Sequence, residues 1–282
     1  NVFKSQANVK KAVDAFKKAL AHDPKSIAAA WNLSGTVDSI SEAKIWMEYC
    51  LGIDKNFIEA KLILSALKFY EGNTSEFEKL SNSPIREHPL MRSLVWVFDL
   101  PRLPKLFFYR WALYDYCLSH SDKSRPFYEF GVWRGASFKY LIRALKIGYG
   151  FDTFEGLPED WRAESAGSYS SEGNIPKIDG GNFIVGKFDK TLPTYFSKSR
   201  PVASVINFDA DLYSSTILAL NHAKGVIDSK TVLIFDEFIV NEKWELDEYK
   251  ALNEFCEKNN YTYEVLAISF FTKQTAIRLI ET

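Results

Sequence analysis

The stretch that decides the fold is Phe127-Tyr128-Glu129-Phe130-Gly131-Val132-Trp133-Arg134-Gly135-Ala136-Ser137. Its first four residues form a short apolar run typical of a buried strand, and a helical spacing of apolar residues begins at Ser137. Two glycines, Gly131 and Gly135, fall in the turn between strand and helix. In an open α/β sheet such a turn lies at the carboxyl edge, where glycines let the backbone approach a ligand closely.

The chain after residue 106 repeats this alternation of strand and helix. We expect helices at 107–118, 137–145, 214–226 and 244–258, and strands at 127–130, 149–154, 182–186, 202–209, 231–235, 263–268 and 275–280. Apolar strands separated by helices predict an α/β fold, here a Rossmann-like, seven-stranded, mostly parallel sheet with helices on both faces. Since no helix separates the last two strands, one strand should be antiparallel.

Small and apolar residues recur at helical spacing from residue 8 to residue 80. Asp23 and Asp54, which are 31 residues apart, each follow an apolar helix end. This pattern predicts a small all-α domain similar to tetratricopeptide (TPR) repeats, and a plain helical bundle is the alternative. Four prolines between residues 82 and 105 indicate a junction. The predicted parts are a helical TPR-like domain at 1–81, a proline-containing junction at 82–105 and the α/β domain at 106–282.

Composition limits the partners. The 35 Lys and Arg residues against 36 Asp and Glu give a net charge of −1, which favours neither nucleic acid nor a membrane surface as a partner. The three cysteines are far apart and indicate no disulfide framework, and no apolar run has the roughly 20 residues of a membrane span. These features favour a cytoplasmic protein, and the helical repeats leave a protein partner or self-association open.

Acidic residues flank the glycine turn. The spacing Glu129-x-Gly131-x-x-x-Gly135 differs from the G-x-G-x-x-G of dinucleotide-binding enzymes. The carboxylate of Glu129 also suits a positively charged ligand group better than a phosphate. Asp152 lies in the next predicted strand, about 20 residues after the glycines, where an acid can accept both hydroxyls of a ribose. Its alternative role is to cap the turn that follows.

Four motifs together resemble a known family. They are YEFGVWRG at 128–135, GFDTFEGLPE at 150–159, VGKFDKTLP at 185–193 and NFDADLYSST at 207–216. They resemble the class I methyltransferases grouped with macrocin O-methyltransferase, some of which methylate sugar hydroxyls of antibiotics. The resemblance covers about residues 107–280 and not the N-terminal helices.

The resemblance implies that S-adenosylmethionine (SAM) binds along the carboxyl edge of the sheet. It implies an acceptor hydroxyl on a sugar or another small natural product. The cofactor-binding positions that it implies are Glu129, Gly131, Val132, Trp133, Arg134, Gly135, Ser137, Asp152, Thr153, Lys187, Phe188 and Asp209.

Two acidic clusters follow consecutive predicted strands, Asp209 with Asp211 and Asp236 with Glu237. Adjacent parallel strands would bring Asp209, Asp236 and Glu237 into one pocket, where their charges repel unless a hard cation such as Mg²⁺ compensates them. Turn capping, or pairing with a nearby lysine, is the alternative. The resemblance implies that these three acids bind the metal and that Asp211 is the general base. The chain departs from the family at Glu237, where the family often has Asp.

The stretch 161–181 is long and rich in Gly and Ser. Long loops in compact domains often act as lids, so we expect this one to close over donor and acceptor, and a disordered surface loop is the alternative. The predicted function is therefore a SAM-dependent O-methyltransferase. A non-catalytic methyltransferase-like scaffold with a TPR-type protein-binding domain is the alternative from another class. The glycine spacing disfavours a dinucleotide-dependent oxidoreductase.

Overall fold

In the computed structural model, which describes residues 8–281, the chain folds into two compact units. The first unit contains the described residues up to Leu113, together with Ile239–Glu242 and Ala267–Lys273. The second contains Tyr114–Phe238, Lys243–Leu266 and the residues from Gln274 onward. The domain boundaries expected from the sequence stay predictions. None of the helices within residues 8–281 is both long and apolar enough to cross a membrane.

The N-terminal part of the first unit is entirely helical. Its α-helices are α1 (Val9–His22), α2 (Ile27–Ser34), α3 (Ile40–Ile53), α4 (Ile58–Tyr70), α5 (Ser75–Ser81) and α6 (Pro89–Phe98), with a 3-10 turn at Pro84–Glu87. Asp23 and Asp54 end α1 and α3 in the same extended conformation, and each carboxylate accepts a hydrogen bond from the N–H two residues later. The two aspartates thus make the same turn twice, and whether this region is a TPR array stays a prediction.

Strands and helices alternate in the rest of the chain. They are β1 (Lys105–Phe107), α7 (Arg110–Ser119), β2 (Phe127–Phe130), α8 (Ala136–Leu145), β3 (Gly148–Asp152), β4 (Gly181–Val185), α9 (Phe188–Phe196), β5 (Val205–Phe208), α10 (Tyr213–Ala223), β6 (Val232–Phe235), α11 (Glu248–Asn259), β7 (Tyr261–Ser269) and β8 (Thr275–Glu281). Two further 3-10 turns lie at Lys224–Val226 and Trp244–Leu246.

The strands form one sheet in the order β1-β7-β8-β6-β5-β2-β3-β4. Neighbours from β6 to β4 are parallel, and β8 pairs antiparallel with β6, which confirms the predicted α/β class and its antiparallel strand. The predicted number of seven strands is wrong, because β1 pairs in parallel with β7 as an eighth. Three residues are too few to show the period of a strand, and the sequence prediction ends the junction at Lys105 and begins a helix at Phe107.

Four phenylalanines align the strand ends at the centre of this sheet. Phe151, Phe130, Phe208 and Phe235 are register partners on β3, β2, β5 and β6. Their rings stack with centroid distances of 4.9, 5.4 and 4.8 Å from one to the next. Because the strands are in register, the residues after them leave the sheet at the same level. The chain runs from β2 toward β4 on one side and from β5 toward β6 on the other, so a topological switch point separates β2 from β5.

Two helices differ from the sequence prediction. Helix α9, which has Pro193 in its interior, had not been predicted. The helix expected at 244–258 is split into the 3-10 turn and α11, because Asp247 between them has a non-helical backbone, with φ −101° and ψ −121°. This break separates Asp247 and Glu248 from the preceding turn.

Candidate functional site

Two glycines shape the turn after β2 in ways that a side chain would prevent. Gly131 has φ +87°, and a Cβ there would lie 1.8 Å from the backbone oxygen of Asp209, across the switch point. Gly135 precedes α8 with φ +70°, and its Cβ would lie 3.2 Å from Pro176 and Ile178. The turn is therefore packed against β5 on one side and against the β3–β4 connection on the other.

Asp152 at the end of β3 holds this turn in place. Its Oδ2 accepts hydrogen bonds from the N–H groups of Val132 at 2.6 Å and Trp133 at 2.7 Å, and its Oδ1 accepts one from Phe154 at 2.7 Å. A carboxylate offers about four lone-pair sites, so about one remains for a ribose hydroxyl rather than two. The observed contacts are those of the turn-capping alternative, and ribose binding by Asp152 stays a prediction.

The other residues expected to bind the cofactor lie along the same edge and make mostly internal contacts. Glu129 has no solvent exposure, and its Oε1 accepts a hydrogen bond from the Ser137 hydroxyl at 2.8 Å. The hydroxyl of Thr153 bonds within its own turn. Lys187 and Phe188 start α9 directly beyond β4. The structure thus places the predicted cofactor residues at the ends of β2, β3 and β4, which are adjacent and parallel, except Asp209, which follows β5.

The connection between β3 and β4, residues 153–180, lies over the glycine turn, and we call it the strap. Trp133 is 42% exposed, its indole N–H donates to the backbone oxygen of Ser170 at 3.3 Å, and its ring meets that of Tyr169 edge to face at 6.1 Å. An open cavity lies beside this contact, with Arg134 and Lys139 on one wall and strap residues 170–176 on the other. The strap has its own backbone hydrogen bonds, and closure over a ligand stays a prediction.

Acidic side chains gather at the ends of β5 and β6. Burial, followed by the negative charges of Asp236 and Glu237, raises the pKa of Asp211 to about 7, and the charge of Arg162 opposes this rise. Asp211 also has φ +60°, a left-handed conformation that is uncommon outside glycine. The structure therefore brings Asp211 close to both acids of the second predicted cluster.

Two further acids complete this cluster and had not been predicted. Glu248 begins α11 with no solvent exposure, and its Oε2 accepts a hydrogen bond from the Glu237 N–H at 3.0 Å. Its Oε1 is buried without a hydrogen-bond partner among residues 8–281. Burial, followed by the charges of Asp236 and Asp211, raises the pKa of Glu248 well above its usual value. Asp247 and Glu248 are adjacent acids at a helix start, and we had included them in the predicted helix.

Arg162 of the strap contacts the acids directly. Its Nη1 lies 3.4 Å from Oε2 of Glu237, and its Nη2 lies 2.5 Å from Oδ2 of Asp247. These partners are 75 and 85 residues away along the chain, so no local pattern could have indicated the contact. The sequence predicts a lid at 161–181, which includes Arg162, but assigns no role to this residue.

The arrangement does not match a metal centre. Glu237 is paired with Arg162, and Oδ1 of Asp236 accepts a hydrogen bond from the Gln274 amide at 2.7 Å. Within residues 8–281, no three His, Cys, Asp or Glu side chains are placed to hold a metal ion together. The Mg²⁺ site predicted at Asp209, Asp236 and Glu237 therefore finds no support here.

Comparison with known proteins gives similarity of fold at low sequence identity. The sequence matches no family model and no curated protein. A calicheamicin methyltransferase, CalS11, is 20% identical with a TM-score of 0.47 and covers 74% of this chain and 91% of its own. The O-methyltransferase NovP is 20% identical with a TM-score of 0.44, and it covers 60% of this chain and 78% of its own.

A third solved structure is the O-methyltransferase TomG from Streptomyces achromogenes, involved in tomaymycin synthesis, in complex with SAM. It is 16% identical with a TM-score of 0.41 and covers 74% of this chain and 96% of its own. At TM-scores below 0.5 and identities of 20% or less, these likenesses assign no activity to this chain.

Proposed function

We propose that this chain is a SAM-dependent methyltransferase that methylates a hydroxyl oxygen of a small-molecule acceptor. The supporting observation is the convergence at one sheet edge of the glycine turn, the carboxylate of Asp152 and the acidic cluster, on the two sides of the switch point. Open α/β sheets bind their ligands in the crevice at such a point. The acceptor class, a sugar or another natural product, rests on the four sequence motifs.

Each part of the edge has a role in this proposal. When bound, SAM supplies an electrophilic methyl group on its sulfonium. The glycine turn and Asp152 hold the donor. Asp211 accepts the proton of the acceptor hydroxyl. The hydroxyl oxygen bonds to the methyl carbon as the bond between that carbon and the sulfur breaks. The products are a methyl ether, S-adenosylhomocysteine and a proton on Asp211, which passes to solvent.

No step of this proposed reaction runs through a metal ion. Of the three carboxylates predicted to bind one, Glu237 is engaged with Arg162 and Asp236 with Gln274. The proton acceptor is therefore a side chain of the chain itself, and the charge of the cluster is compensated from the strap.

Calorimetry of the full chain with SAM, S-adenosylhomocysteine and NAD⁺ tests the function. The proposal predicts that SAM and S-adenosylhomocysteine bind and that NAD⁺ does not. Binding of NAD⁺ alone would support an oxidoreductase instead. Binding of no nucleotide at all would support the non-catalytic scaffold. Transfer of labelled methyl groups from SAM to a panel of hydroxylated acceptors, including glycosides, then identifies the acceptor.

A further inference from the structure

Arg162 is a cation that the strap delivers to the acidic cluster. Its guanidinium joins Glu237, which follows β6, to Asp247, which precedes α11, so one side chain links three segments. The side chains of Arg162, Glu237 and Asp247 are 23%, 21% and 15% exposed. These ion pairs are therefore better shielded from water than ordinary surface pairs, and losing one partner leaves the others uncompensated.

The strap fixes Arg162 in this position. The guanidinium carbon lies 4.1 Å from the centroid of the Trp161 ring, which is itself buried. The backbones of Trp161 and Glu164 exchange two hydrogen bonds of 2.8 Å, and Arg162 between them has φ +55°. A non-glycine residue in this conformation carries strain, which persists where surrounding contacts hold it.

The acids around Arg162 need a positive charge. Asp211 feels the charges of Asp236, Glu237 and Asp247, all of which oppose its ionisation, and the charge of Arg162 favours it. Glu248 adds a buried carboxyl oxygen with no hydrogen-bond partner among residues 8–281. Closely spaced carboxylates with little water repel strongly unless a cation lies among them.

We propose that Arg162 is a positioning residue which supplies, from the strap, the positive charge that this cluster would otherwise take from a divalent metal ion. By holding Glu237 and Asp247 on its guanidinium, it keeps their carboxylates away from Asp211 and leaves Asp211 to receive the acceptor proton. Docking of the strap and placement of Asp211 for catalysis are then one event. The catalytic part of this inference rests on the proposed function.

The first test measures Mn²⁺ binding to the full chain by electron paramagnetic resonance, without donor or acceptor. Arg162→Gln removes the charge, so the variant is expected to bind Mn²⁺ at least roughly tenfold more tightly than the wild type. Arg200→Gln is the matched control, since Arg200 also stacks on an aromatic ring, 3.8 Å from the centroid of Tyr195. Equal Mn²⁺ affinity of the wild type and Arg162→Gln would overturn the proposal.

The second test measures cleavage of the strap by chymotrypsin, whose sites do not include arginine. Arg162→Gln and Glu237→Gln are each expected to speed cleavage several-fold. The double variant should be cleaved no faster than either single variant, because the two residues act as one pair. Arg162→Lys should keep most of the wild-type protection. Arg200→Gln should not change the rate. Strictly multiplicative effects of the two substitutions would contradict the coupling. If Arg162→Gln does not fold, a wild-type cleavage rate in Glu237→Gln would also contradict the coupling.

Turnover separates this inference from the proposed function. Arg162→Gln should lower kcat roughly 10- to 100-fold with a smaller change in the acceptor KM, because it releases Glu237 and Asp247 toward Asp211. Arg162→Lys should recover part of the loss. A wild type that binds no SAM refutes the proposed function, whereas Mn²⁺ binding and strap cleavage still report on Arg162. Normal SAM binding with an unchanged kcat in Arg162→Gln refutes the positioning role alone.

Discussion

Gly131 shows at the scale of one residue how the fold sets the site. Its positive φ and its approach to the backbone of Asp209 leave no room for a Cβ, so the turn crosses the switch point only with glycine. Asp152 then fixes the following two N–H groups. The predicted cofactor turn is thus held by its packing on the backbone of Asp209 and by the carboxylate of Asp152.

Gly131→Ala should destabilise the protein by about 2–4 kcal/mol, since it adds backbone strain to a clash with a main-chain oxygen. Urea unfolding measures the change, and calorimetry should show weakened SAM binding. Gly225→Ala is the control, because nothing lies within 4 Å of a Cβ at Gly225, and it should stay within about 0.5 kcal/mol of the wild type. A stability loss for Gly131→Ala no larger than that of the control would contradict this account of the turn.

Asp211→Asn should lower kcat about 10²- to 10⁴-fold, because the amide cannot take the acceptor proton. The affinity for SAM, measured by calorimetry, should stay within about twofold of the wild type if Asp211 acts only on the acceptor. Asp14→Asn on the exposed face of α1 is the control and should leave both quantities unchanged. Wild-type kcat in Asp211→Asn would remove Asp211 from the mechanism.

At the scale of elements, the stacked phenylalanines of β3, β2, β5 and β6 place the functional groups. Because the four rings are in register, the strands end together and present their following residues at one edge. Phe208 lies inside this row, with its ring against those of Phe130 and Phe235 and with no solvent exposure. The packing of these strands therefore determines the geometry of the site.

Phe208→Ala should cost about 3–5 kcal/mol, because it removes a buried ring between two others. Urea unfolding provides the measurement. Ile147→Ala is the control, since Ile147 is 49% exposed, and it should change stability by less than about 0.5 kcal/mol. A cost below about 1 kcal/mol for Phe208→Ala would show that the site edge does not depend on this row.

The central strands could be predicted from the sequence because each is an apolar run that ends at a glycine or an acid, which is a local signal. Strand β1 could not, because three residues carry no period and its pairing depends on residues 267–269. Helix α9 was obscured by Pro193 in its interior.

The site residues, like the strands, could be predicted only where they carry a local signal. Residues at or just after strand ends, such as Gly131, Asp152 and Asp211, could be located from the strand pattern. Arg162 and Glu248 could not, because they reach the cluster through tertiary contacts. The expected metal was an inference from repelling carboxylates, and the structure shows a guanidinium beside them instead.

At the scale of the whole molecule, the first unit is built from segments far apart in the sequence. Its helices contact residues that follow β7: the ring of Trp31 lies 5.3 Å from that of Phe271, and the ring of Tyr70 lies 6.2 Å from that of Phe270. The hydroxyl of Ser93 accepts a hydrogen bond from the Val240 N–H at 2.7 Å. The helical region therefore depends on later segments of the chain for part of its packing.

Phe270→Ala should destabilise the first unit by about 3–5 kcal/mol, because Phe270 is 3% exposed. Hydrogen exchange should become faster in α4, which carries Tyr70. Leu103→Ala is the control in the same unit, where Leu103 is 41% exposed, and it should leave exchange unchanged. Unchanged exchange in α4 of Phe270→Ala would mean that the helices pack independently of this segment.

Hydrogen exchange of the full chain with and without S-adenosylhomocysteine tests the central claim most directly, since it reports where the nucleoside binds. The account predicts slower exchange at residues 129–137, 150–157 and 185–189, the ends of β2, β3 and β4, and no change in α1–α5. Exchange that stays the same in the glycine turn, or slows only in the N-terminal helices, would contradict a donor site at the carboxyl edge of this sheet.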